Sequence, residues 1–321
     1  MRHRKPSSLA FFLLLPLLGA LTIGASDAHA QNAITGDVFA EVDDLGGERV
    51  LGGHAFIPSL VNEFALVTTS FGALTAFGMQ TVSLGTDNVG NDLGTVDLAA
   101  FDEQFQVGIR ITEAFGIRAD LAGSVGVGAD DKSALIAGAN FAGGFGLGPV
   151  VRIFGTDDFM LSATLRGGFL TGAIISPLAF GNAILETGRI NRGTLLTNVS
   201  QWSVAPALAL AYAPMEAVGL QASARLNVEA TDAEGQDTDV STSVDLGATL
   251  TIDAVDLFAP VALLVSYAAA VPFGDDELQH GIEVGLFYSG LQHLNLGAAV
   301  ASTIGAEESI FYAQLRLAHY W

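Results

Sequence analysis

Histidine is the residue type best suited to acid–base catalysis or metal binding near neutral pH, and this chain contains six. They are widely separated, at His3, His29, His54, His280, His293 and His319. Only His280 has an acidic run beside it, at residues 275–277, and such runs are common in solvated loops. The chain also has no cysteine, zinc-ligand spacing, phosphate-binding loop or nucleophile elbow. We therefore expect no enzymatic activity and no cofactor.

Arginine and carboxylate side chains form the second group that could do chemistry, because they pair with one another or bind charged solutes. Six arginines lie in segments whose apolar residues alternate with polar or small ones, and each falls on the polar side: Arg110, Arg118, Arg152, Arg166, Arg225 and Arg316. We assign five acids to the same side: Glu103, Asp120, Glu229, Asp245 and Glu283. The elements that position these residues must therefore have one apolar and one polar face.

The alternation has a period of two and predicts β-strands, because successive side chains of a strand point to opposite faces. About eleven such segments lie between Asp97 and Trp321, at 98–112, 115–128, 143–154, 159–171, 201–213, 219–230, 239–252, 257–269, 281–289, 293–302 and 310–321. Two less regular segments precede them, at 64–71 and 74–84. Most exceed the five or six residues that are usual in soluble sheets, and their lengths suffice for a tilted strand to cross a bilayer.

Connections between the predicted strands are alternately short and long, as in barrels of the outer membrane. Aromatic residues lie near the strand ends, where two girdles are expected at the membrane interfaces: Phe115, Phe159, Phe169, Trp202, Tyr212, Phe258, Tyr267, Phe311 and Trp321. The chain has 34 acidic and 13 basic residues, which argues against a nucleic-acid partner, and half of its residues are hydrophobic. We expect the apolar residues to face lipid.

With these features the sequence resembles the Gram-negative outer-membrane β-barrel proteins. The last segment, Ile310 to Trp321, ends in an aromatic residue, and Phe311 and Leu315 fit its apolar face. The resemblance implies an all-β, transmembrane, antiparallel up-and-down β-barrel in contact with outer-membrane lipid. It also implies that the barrel-assembly machinery recognises the last strand.

An even number of strands is expected when both chain ends lie in the periplasm. The thirteen segments then require one more strand, for which the candidate lies between Arg49 and Pro58. We predict a barrel of about fourteen strands over residues 49–321, with twelve as the alternative count. Residues 31–48 would form a periplasmic arm or a plug inside the lumen, and their sequence does not decide between the two.

Residues 1–30 have the features of an export signal. Arg2, Arg4 and Lys5 precede an apolar stretch, and the small-x-small sequence Ala28-His29-Ala30 follows it. We expect cleavage after Ala30 and delivery to the outer membrane of a Gram-negative bacterium.

The predicted barrel leads to a channel hypothesis. A charge that faces lipid at mid-membrane costs about 2–4 kcal/mol, so the charged strand residues should line the lumen: Arg110, Arg118, Asp120, Arg152, Arg166, Arg225, Glu229, Asp245, Glu283 and Arg316. Either they create a field across an open pore that selects permeants, or arginine–carboxylate pairs close a narrow lumen. Many small inward residues favour passive passage of small solutes.

Two prolines support a different kind of transport. Pro149 and Pro206 lie within predicted strands on the outer face, and each should interrupt the hydrogen-bond ladder. A strand kink together with an N-terminal plug is similar to FadL-like barrels, which carry hydrophobic compounds and release them sideways into the membrane. A transporter of this kind is the alternative function, and a closed structural barrel is the third.

The predicted outer loops hold a further group of charges. They contain fifteen acids: Asp87, Asp92, Asp97, Asp130, Asp131, Glu186, Asp232, Glu234, Asp237, Asp239, Asp275, Asp276, Glu277, Glu307 and Glu308. These acids could bridge to anionic lipid headgroups through Ca²⁺ or Mg²⁺, although solvated loops are the simpler interpretation.

Overall fold

The computed structural model describes residues 49–83, 95–136, 138–175, 177, 196–233, 238–255, 259–274, 278–304 and 308–321. These residues form a two-stranded hairpin, one short helix and a closed β-barrel. The bounds are β1 Val50–Leu51, β2 His54–Ala55, β3 Ser70–Ser83, β4 Thr95–Thr112, β5 Phe115–Gly128, α1 Asp131–Ile136, β6 Ala139–Gly155, β7 Phe159–Ile175, β8 Leu196–Met215, β9 Val218–Ala233, β10 Asp239–Asp253, β11 Val261–Pro272, β12 Gln279–Tyr288, β13 Leu294–Ile304 and β14 Glu308–Tyr320.

The barrel wall consists of β3 to β14, each paired antiparallel with its neighbours in chain order. Pairing of β14 with β3, from Glu308↔Val82 to Tyr320↔Ser70, closes the wall. This is the up-and-down architecture expected from the alternation. The wall has twelve strands, so the alternative count is confirmed and the main count of fourteen is two too high.

The two extra strands were assigned to the chain before Ser70. The segment between Arg49 and Pro58 forms the β1–β2 hairpin, because Gly52 and Gly53 reverse the chain directly after Leu51. Their φ angles are 56° and 79°, a region that favours glycine. Residues 64–69 do not belong to a strand, and the wall begins at Ser70 rather than at residue 49.

Apolar side chains cover the outside of the wall. On β8, Trp202, Val204 and Leu208 are exposed, whereas the alternate residues Ala207 and Ala209 are buried. A soluble sheet buries its large apolar face and exposes the small or polar one. The reversed arrangement here is the one that a barrel in lipid requires.

The two ends of the barrel differ in their connections. At the short-turn end, turns such as 113–114 and 216–217 join the strands, and both chain ends of the wall lie there. At the long-loop end, the β5–β6 connection contains α1, whose first turn is capped by Asp130 through an Oδ1 contact with the Ser133 N–H (2.6 Å). Hydrogen bonds from the backbone and the side chain of Ser133 lower the pKa of Asp130. Among the described residues, no helix is long and apolar enough to span a membrane.

Both wall prolines interrupt the ladder, as predicted. Between β6 and β7 the pairing passes from Leu147↔Gly167 to Val150↔Thr164, and so skips Pro149. Between β8 and β9 the pairing passes from Val204↔Val228 to Ala207↔Arg225, and so skips Pro206. Proline has no N–H to donate, so the register continues on each side without a bond at the proline itself.

Candidate functional site

Residues 49–69, called the plug below, lie inside the barrel toward the short-turn end. Phe56 and Ala65 in this segment are fully buried, and the plug contacts inward side chains of β5, β7, β9, β10, β12 and β14. Sequence reasoning placed part of this segment in the wall and considered a plug only for residues 31–48. Those residues lie outside the described ranges, so their arm or plug role stays a prediction.

An apolar cluster anchors the plug to β8. Leu51, Phe56 and Leu66 of the plug pack against three inward alanines of that strand, Ala209, Ala211 and Ala213. The sequence carried a signal for this contact, because β8 is apolar on both faces from residue 204 to 213. An inward apolar face in a barrel needs an apolar partner inside the lumen.

Hydrogen bonds attach the hairpin end of the plug to the short turns. The Arg49 guanidinium donates to the carbonyl oxygens of Gln292, Leu294 and Phe56, each at 2.9 Å. The Gly52 N–H donates to the carbonyl of Asp157 (2.7 Å). The hairpin is therefore held at turns on different sides of the barrel.

His54 is fully buried where the plug meets β9 and β10. Its Nδ1 donates to the Glu216 carbonyl (2.9 Å), and its Nε2 lies 2.8 Å from the Thr251 hydroxyl. Because a carbonyl only accepts, the neutral ring carries its proton on Nδ1 and accepts from Thr251 at Nε2. Burial lowers the pKa of His54, with smaller opposing contributions from the Glu216 hydrogen bond and Asp253.

Glu63 of the plug lies between two arginines of the wall. Its carboxylate is 3.4 Å from Arg225 Nη1 and 3.9 Å from Arg118 Nη1. Arg118 also donates to the plug carbonyl of Leu66 (2.5 Å), and Arg225 also pairs with Asp245 (2.7 Å). One plug carboxylate thus joins β5 and β9 across the lumen.

A second ion pair holds the middle of the plug. Arg316 of β14 forms a buried salt bridge with Glu283 of β12 and donates to the carbonyl of Pro58 (2.6 Å). The same Glu283 accepts hydrogen bonds from the Ser59 hydroxyl (2.8 Å) and the Leu60 N–H (3.0 Å). Both partners of this pair therefore also bind the plug, and the pair is satisfied from several sides.

Other charged groups lie beyond the plug, toward the long-loop end. Asp120 of β5 forms a salt bridge with Arg166 of β7 over Gly146 of the intervening strand β6. Asp245 accepts from Asn227 (2.5 Å) as well as from Arg225, and Glu229 accepts from Gln201 Nε2 (2.7 Å). Acids outnumber arginines in this part of the lumen wall.

The structure places all ten predicted lumen residues on the polar face, but one of them, Arg152, lies at the rim instead of inside the barrel. Arg110, Arg118, Asp120, Arg166, Arg225, Glu229, Asp245, Glu283 and Arg316 alternate with lipid-facing residues of their strands. Arg152 lies at the short-turn rim, where it pairs with Glu113 of the adjacent turn (3.2 Å), which is 71% exposed. Arg118, Arg225 and Arg316 bind the plug, a role that sequence reasoning missed.

The assignment of Glu103 to the inner face is wrong. It lies on β4 between Phe101 and Phe105, whose rings pack against the exposed Phe77 and Phe71 of β3. The Thr75 hydroxyl, which is on the same outer face, donates to the Glu103 carboxylate (2.8 Å). Side-chain alternation fixes this orientation, since the neighbouring Asp102 faces inward.

Most of the predicted girdle aromatics lie on the outer surface. Trp202, Tyr212, Tyr267, Phe311 and Trp321 are exposed, and Phe169 packs on Trp202 with 4.4 Å between ring centroids. Phe115 and Phe159 are half-buried on the same face, and Phe258 lies outside the described ranges.

Within the described ranges, no group of three histidine, aspartate or glutamate side chains is arranged to hold a metal ion. Many acids of the predicted outer loops lie outside these ranges. Bridging by Ca²⁺ or Mg²⁺ therefore stays a prediction.

No protein-family model matches the chain, and no curated protein matches it. Solved structures do resemble it. The translocator domain of the autotransporter NalP from Neisseria meningitidis superposes with a TM-score of 0.54 at 10% identity, covering 79% of this chain and 89% of that one. An outer-membrane channel from Pseudomonas putida F1 gives a TM-score of 0.50 at 12% identity, covering 83% of this chain and all of that one.

At these identities the similarity concerns the fold alone. A FadL homologue from Pseudomonas aeruginosa covers 85% of this chain at 11% identity, but its TM-score of 0.49 is too low to support an argument. The closed antiparallel wall, its apolar outer surface and the two superpositions agree with one another. The chain has the fold of the Gram-negative outer-membrane β-barrel proteins.

Proposed function

We propose that the protein is an outer-membrane channel for small solutes, and that the plug closes it at rest. The carrying observation is that the wall is complete without the plug: β3 to β14 close on themselves, and among the described residues β1 and β2 pair only with each other. The plug is held by hydrogen bonds, ion pairs and apolar packing. Its release would therefore leave the barrel intact and the lumen continuous.

The inner surface beyond the plug supports this function. Inward positions there include glycines such as Gly126 and Gly168, which lie beside the side chains of Asn140 and Ser203, and polar groups such as Asn227 and Glu229. A purely structural barrel would gain stability from large apolar side chains at such positions. In barrels of this class the short turns face the periplasm, and the same orientation here would put the plug at the periplasmic exit.

A reversible crosslink tests the plug as a gate. The chain has no cysteine, so Asn62→Cys combined with Thr249→Cys introduces a single pair, at residues whose Nδ2 and Oγ1 atoms are 2.6 Å apart. The double variant of residues 31–321 is refolded, and its single-channel conductance is recorded in planar bilayers. We expect no conductance after oxidation and ohmic steps after reduction.

Each single-cysteine variant is the control and should conduct equally in both redox states. Equal conductance of the oxidised and reduced double variant would show that the plug is not the gate. Absence of conductance from the wild type and every reduced variant would overturn the channel proposal.

The interrupted ladder favours a second candidate, a transporter of hydrophobic compounds with sideways release. Pro149 interrupts the pairing of β6 with β7 opposite Leu165, and Pro206, which pairs with Leu165, interrupts the pairing of β8 with β9. The oxidised crosslink separates the candidates. A hydrophobic dye that still reaches the lipid of proteoliposomes while ions are blocked supports sideways release, whereas loss of both supports passage past the plug.

A further inference from the structure

Three inward polar side chains of the wall have buried atoms without a partner. Gln314, Asp102 and Ser124 are 2%, 8% and 1% exposed, respectively. Gln314 Nε2, Asp102 Oδ1 and Ser124 Oγ make no hydrogen bond within the part of the chain that the structure describes. Buried polar groups are almost always paired, because an unpaired one costs about 1–3 kcal/mol. Three such atoms in one region point to a missing ligand.

The three side chains lie in one row across the barrel wall. Gln314 of β14 pairs with Ala76, Ala76 pairs with Asp102 of β4, and Asp102 pairs with Ser124 of β5. Directly paired residues project from the same face, with Cβ atoms about 5 Å apart. Only the small Ala76 side chain lies between Gln314 and Asp102 in this row. The row therefore places three polar side chains next to one another on the inner face.

The plug binds elsewhere on these strands. Ser124 follows Arg118, which contacts the plug, by six residues on β5, about 20 Å along the strand toward the long-loop end. The row is consequently on the side of the plug that a solute would reach first from the long-loop end. Its side chains are not among those that hold the plug. Gln314 does contact Arg316, which binds the plug carbonyl of Pro58.

The available atoms define the chemistry of the ligand. Arg316 donates to Gln314 Oε1 from Nε (3.0 Å) and Nη2 (2.9 Å), so the amide oxygen is engaged and the Gln314 NH₂ remains as a donor. Asp102 offers a carboxylate oxygen, and no ion pair formed by the described residues includes it. The Ser124 hydroxyl can accept or donate.

An aromatic ring lies beside this row. Tyr312 precedes Gln314 by two residues on the same inward face of β14, and its ring packs over Gly78. An aromatic face and an unpaired carboxylate together are suited to an organic cation. A bare metal ion fits less well, because hard cations require several oxygen ligands and Gln314 presents N–H groups instead.

We propose that the row Gln314–Asp102–Ser124 binds the ammonium group of a small amine that carries a second, hydrogen-bond-accepting group. The ammonium N–H groups donate to Asp102 Oδ1 and Ser124 Oγ, and Gln314 Nε2 donates to the acceptor. This proposal rests on the proposed function, since it names the class of solute that enters the lumen. Ethanolamine has both groups and is the probe.

Binding is measured by isothermal titration of ethanolamine into residues 31–321 refolded in detergent micelles. We expect saturable binding by the wild type, at least tenfold weaker binding by Asp102→Asn and weaker binding by Ser124→Ala. The matched control is Glu103→Gln, the next residue on the strand, which faces lipid and should bind like the wild type. Ethylene glycol, which lacks the ammonium group, should not bind.

Asp102→Asn preserves the shape of the side chain while removing its charge and one acceptor oxygen. The folding of each variant is checked by its heat-modifiable migration on gels. Absence of saturable ethanolamine binding by the folded wild type, or unchanged binding by folded Asp102→Asn, would overturn the proposal. The titration requires no conductance. Binding without conductance would therefore retain the amine site and reject only the channel.

Discussion

Glu63 is the acidic side chain through which two wall arginines contact the plug. Replacing it by glutamine would leave the Arg118 and Arg225 guanidinium groups facing each other without their shared counter-charge. Both arginines are about 30% exposed, so solvent screens the pairs, and we expect Glu63→Gln to weaken plug binding by about 1–2 kcal/mol. Single-channel recordings should show a higher open fraction than for the wild type.

The matched control for this prediction is Glu113→Gln at the short-turn rim. Glu113 also pairs with an inward-face arginine, Arg152, but it is highly exposed and does not contact the plug. Exposed pairs contribute about 0–1 kcal/mol, so the open fraction should not change. Equal open fractions in the two variants would contradict the role of Glu63.

Glu103 is a carboxylate on the lipid-facing surface, where it accepts a hydrogen bond from the Thr75 hydroxyl. Carboxylates on the lipid face of a barrel are destabilising, although less so than arginine or lysine. We expect Glu103→Leu to raise the free energy of unfolding by about 1 kcal/mol, measured by urea unfolding in micelles. Leu315→Glu, at an outward position paired with Thr75, should have the opposite effect. A destabilised Glu103→Leu variant would indicate that this carboxylate has a partner in the membrane.

At the scale of elements, the wall strands were predictable because lipid imposes the same rule on every strand. A residue that faces hydrocarbon must be apolar, so the alternation persists to the strand ends. The segment predicted at 239–252, for example, corresponds to β10, Asp239–Asp253. The interruptions at the two prolines were predictable as well, because a residue without an N–H interrupts a ladder whatever its surroundings.

The plug was not predictable by the same rule. Its strands contain two residues each, and Phe56 and Ile57 are as apolar as wall residues, so local pattern does not distinguish lumen from lipid. Because an even number of strands was expected, the segment was then assigned to the wall. The distinguishing information lies in other strands, in the inward alanines of β8 and in the arginines that bind plug carbonyls.

His54 should make attachment of the plug sensitive to pH. Burial lowers its pKa in the plugged state, whereas a released plug would have the ordinary value of about 6.5. Above that value both states are neutral and attachment is strongest. As the pH falls below 6.5 toward the lowered pKa, the released state binds more protons, and attachment weakens. Arg49 and Asp253 are the charged groups that act on His54.

This dependence is measured as the rate at which a hydrophilic maleimide labels Val61→Cys, a plug residue in a chain without other cysteines. Maleimide reacts with the thiolate, so each rate is divided by the rate of the same variant unfolded in urea at the same pH. This ratio should be higher at pH 5 than at pH 7.5. In the variant that also carries His54→Gln, which cannot titrate, the ratio should not change over this range. A ratio that falls on acidification would have the wrong sign for this mechanism.

At the scale of the whole molecule, the closed wall provides stability, and under the proposed function the plug controls passage. The wall keeps every strand edge paired, which lipid requires. The hairpin strands β1 and β2 add no ladder bond to the wall, and the contacts of the plug instead distribute over strands around the circumference. Opening is therefore expected to break only the contacts of the plug, so the stability of the wall and the control of passage can vary independently.

The charge of the lumen beyond the plug determines the expected ion selectivity. Asp102, Asp120, Glu229 and Asp245 face the lumen there together with Arg166 and Arg225, so the open state should prefer cations. Arg166→Ser removes the counter-charge of Asp120 without touching the plug and should increase this preference. Arg225→Ser should do the same, but it also breaks the contact with Glu63 and will change opening as well.

Selectivity is read from the reversal potential in a tenfold KCl gradient. The shift caused by Arg166→Ser should be larger near 0.1 M salt than near 1 M, because the screening length falls from about 10 Å to about 3 Å. Arg152→Ser is the control, since it removes the same charge from the exposed rim and should leave the potential nearly unchanged. If Arg166→Ser and Arg152→Ser behave alike, the inner wall does not contact the permeating ions, and passage must follow a route that avoids the long-loop half of the lumen.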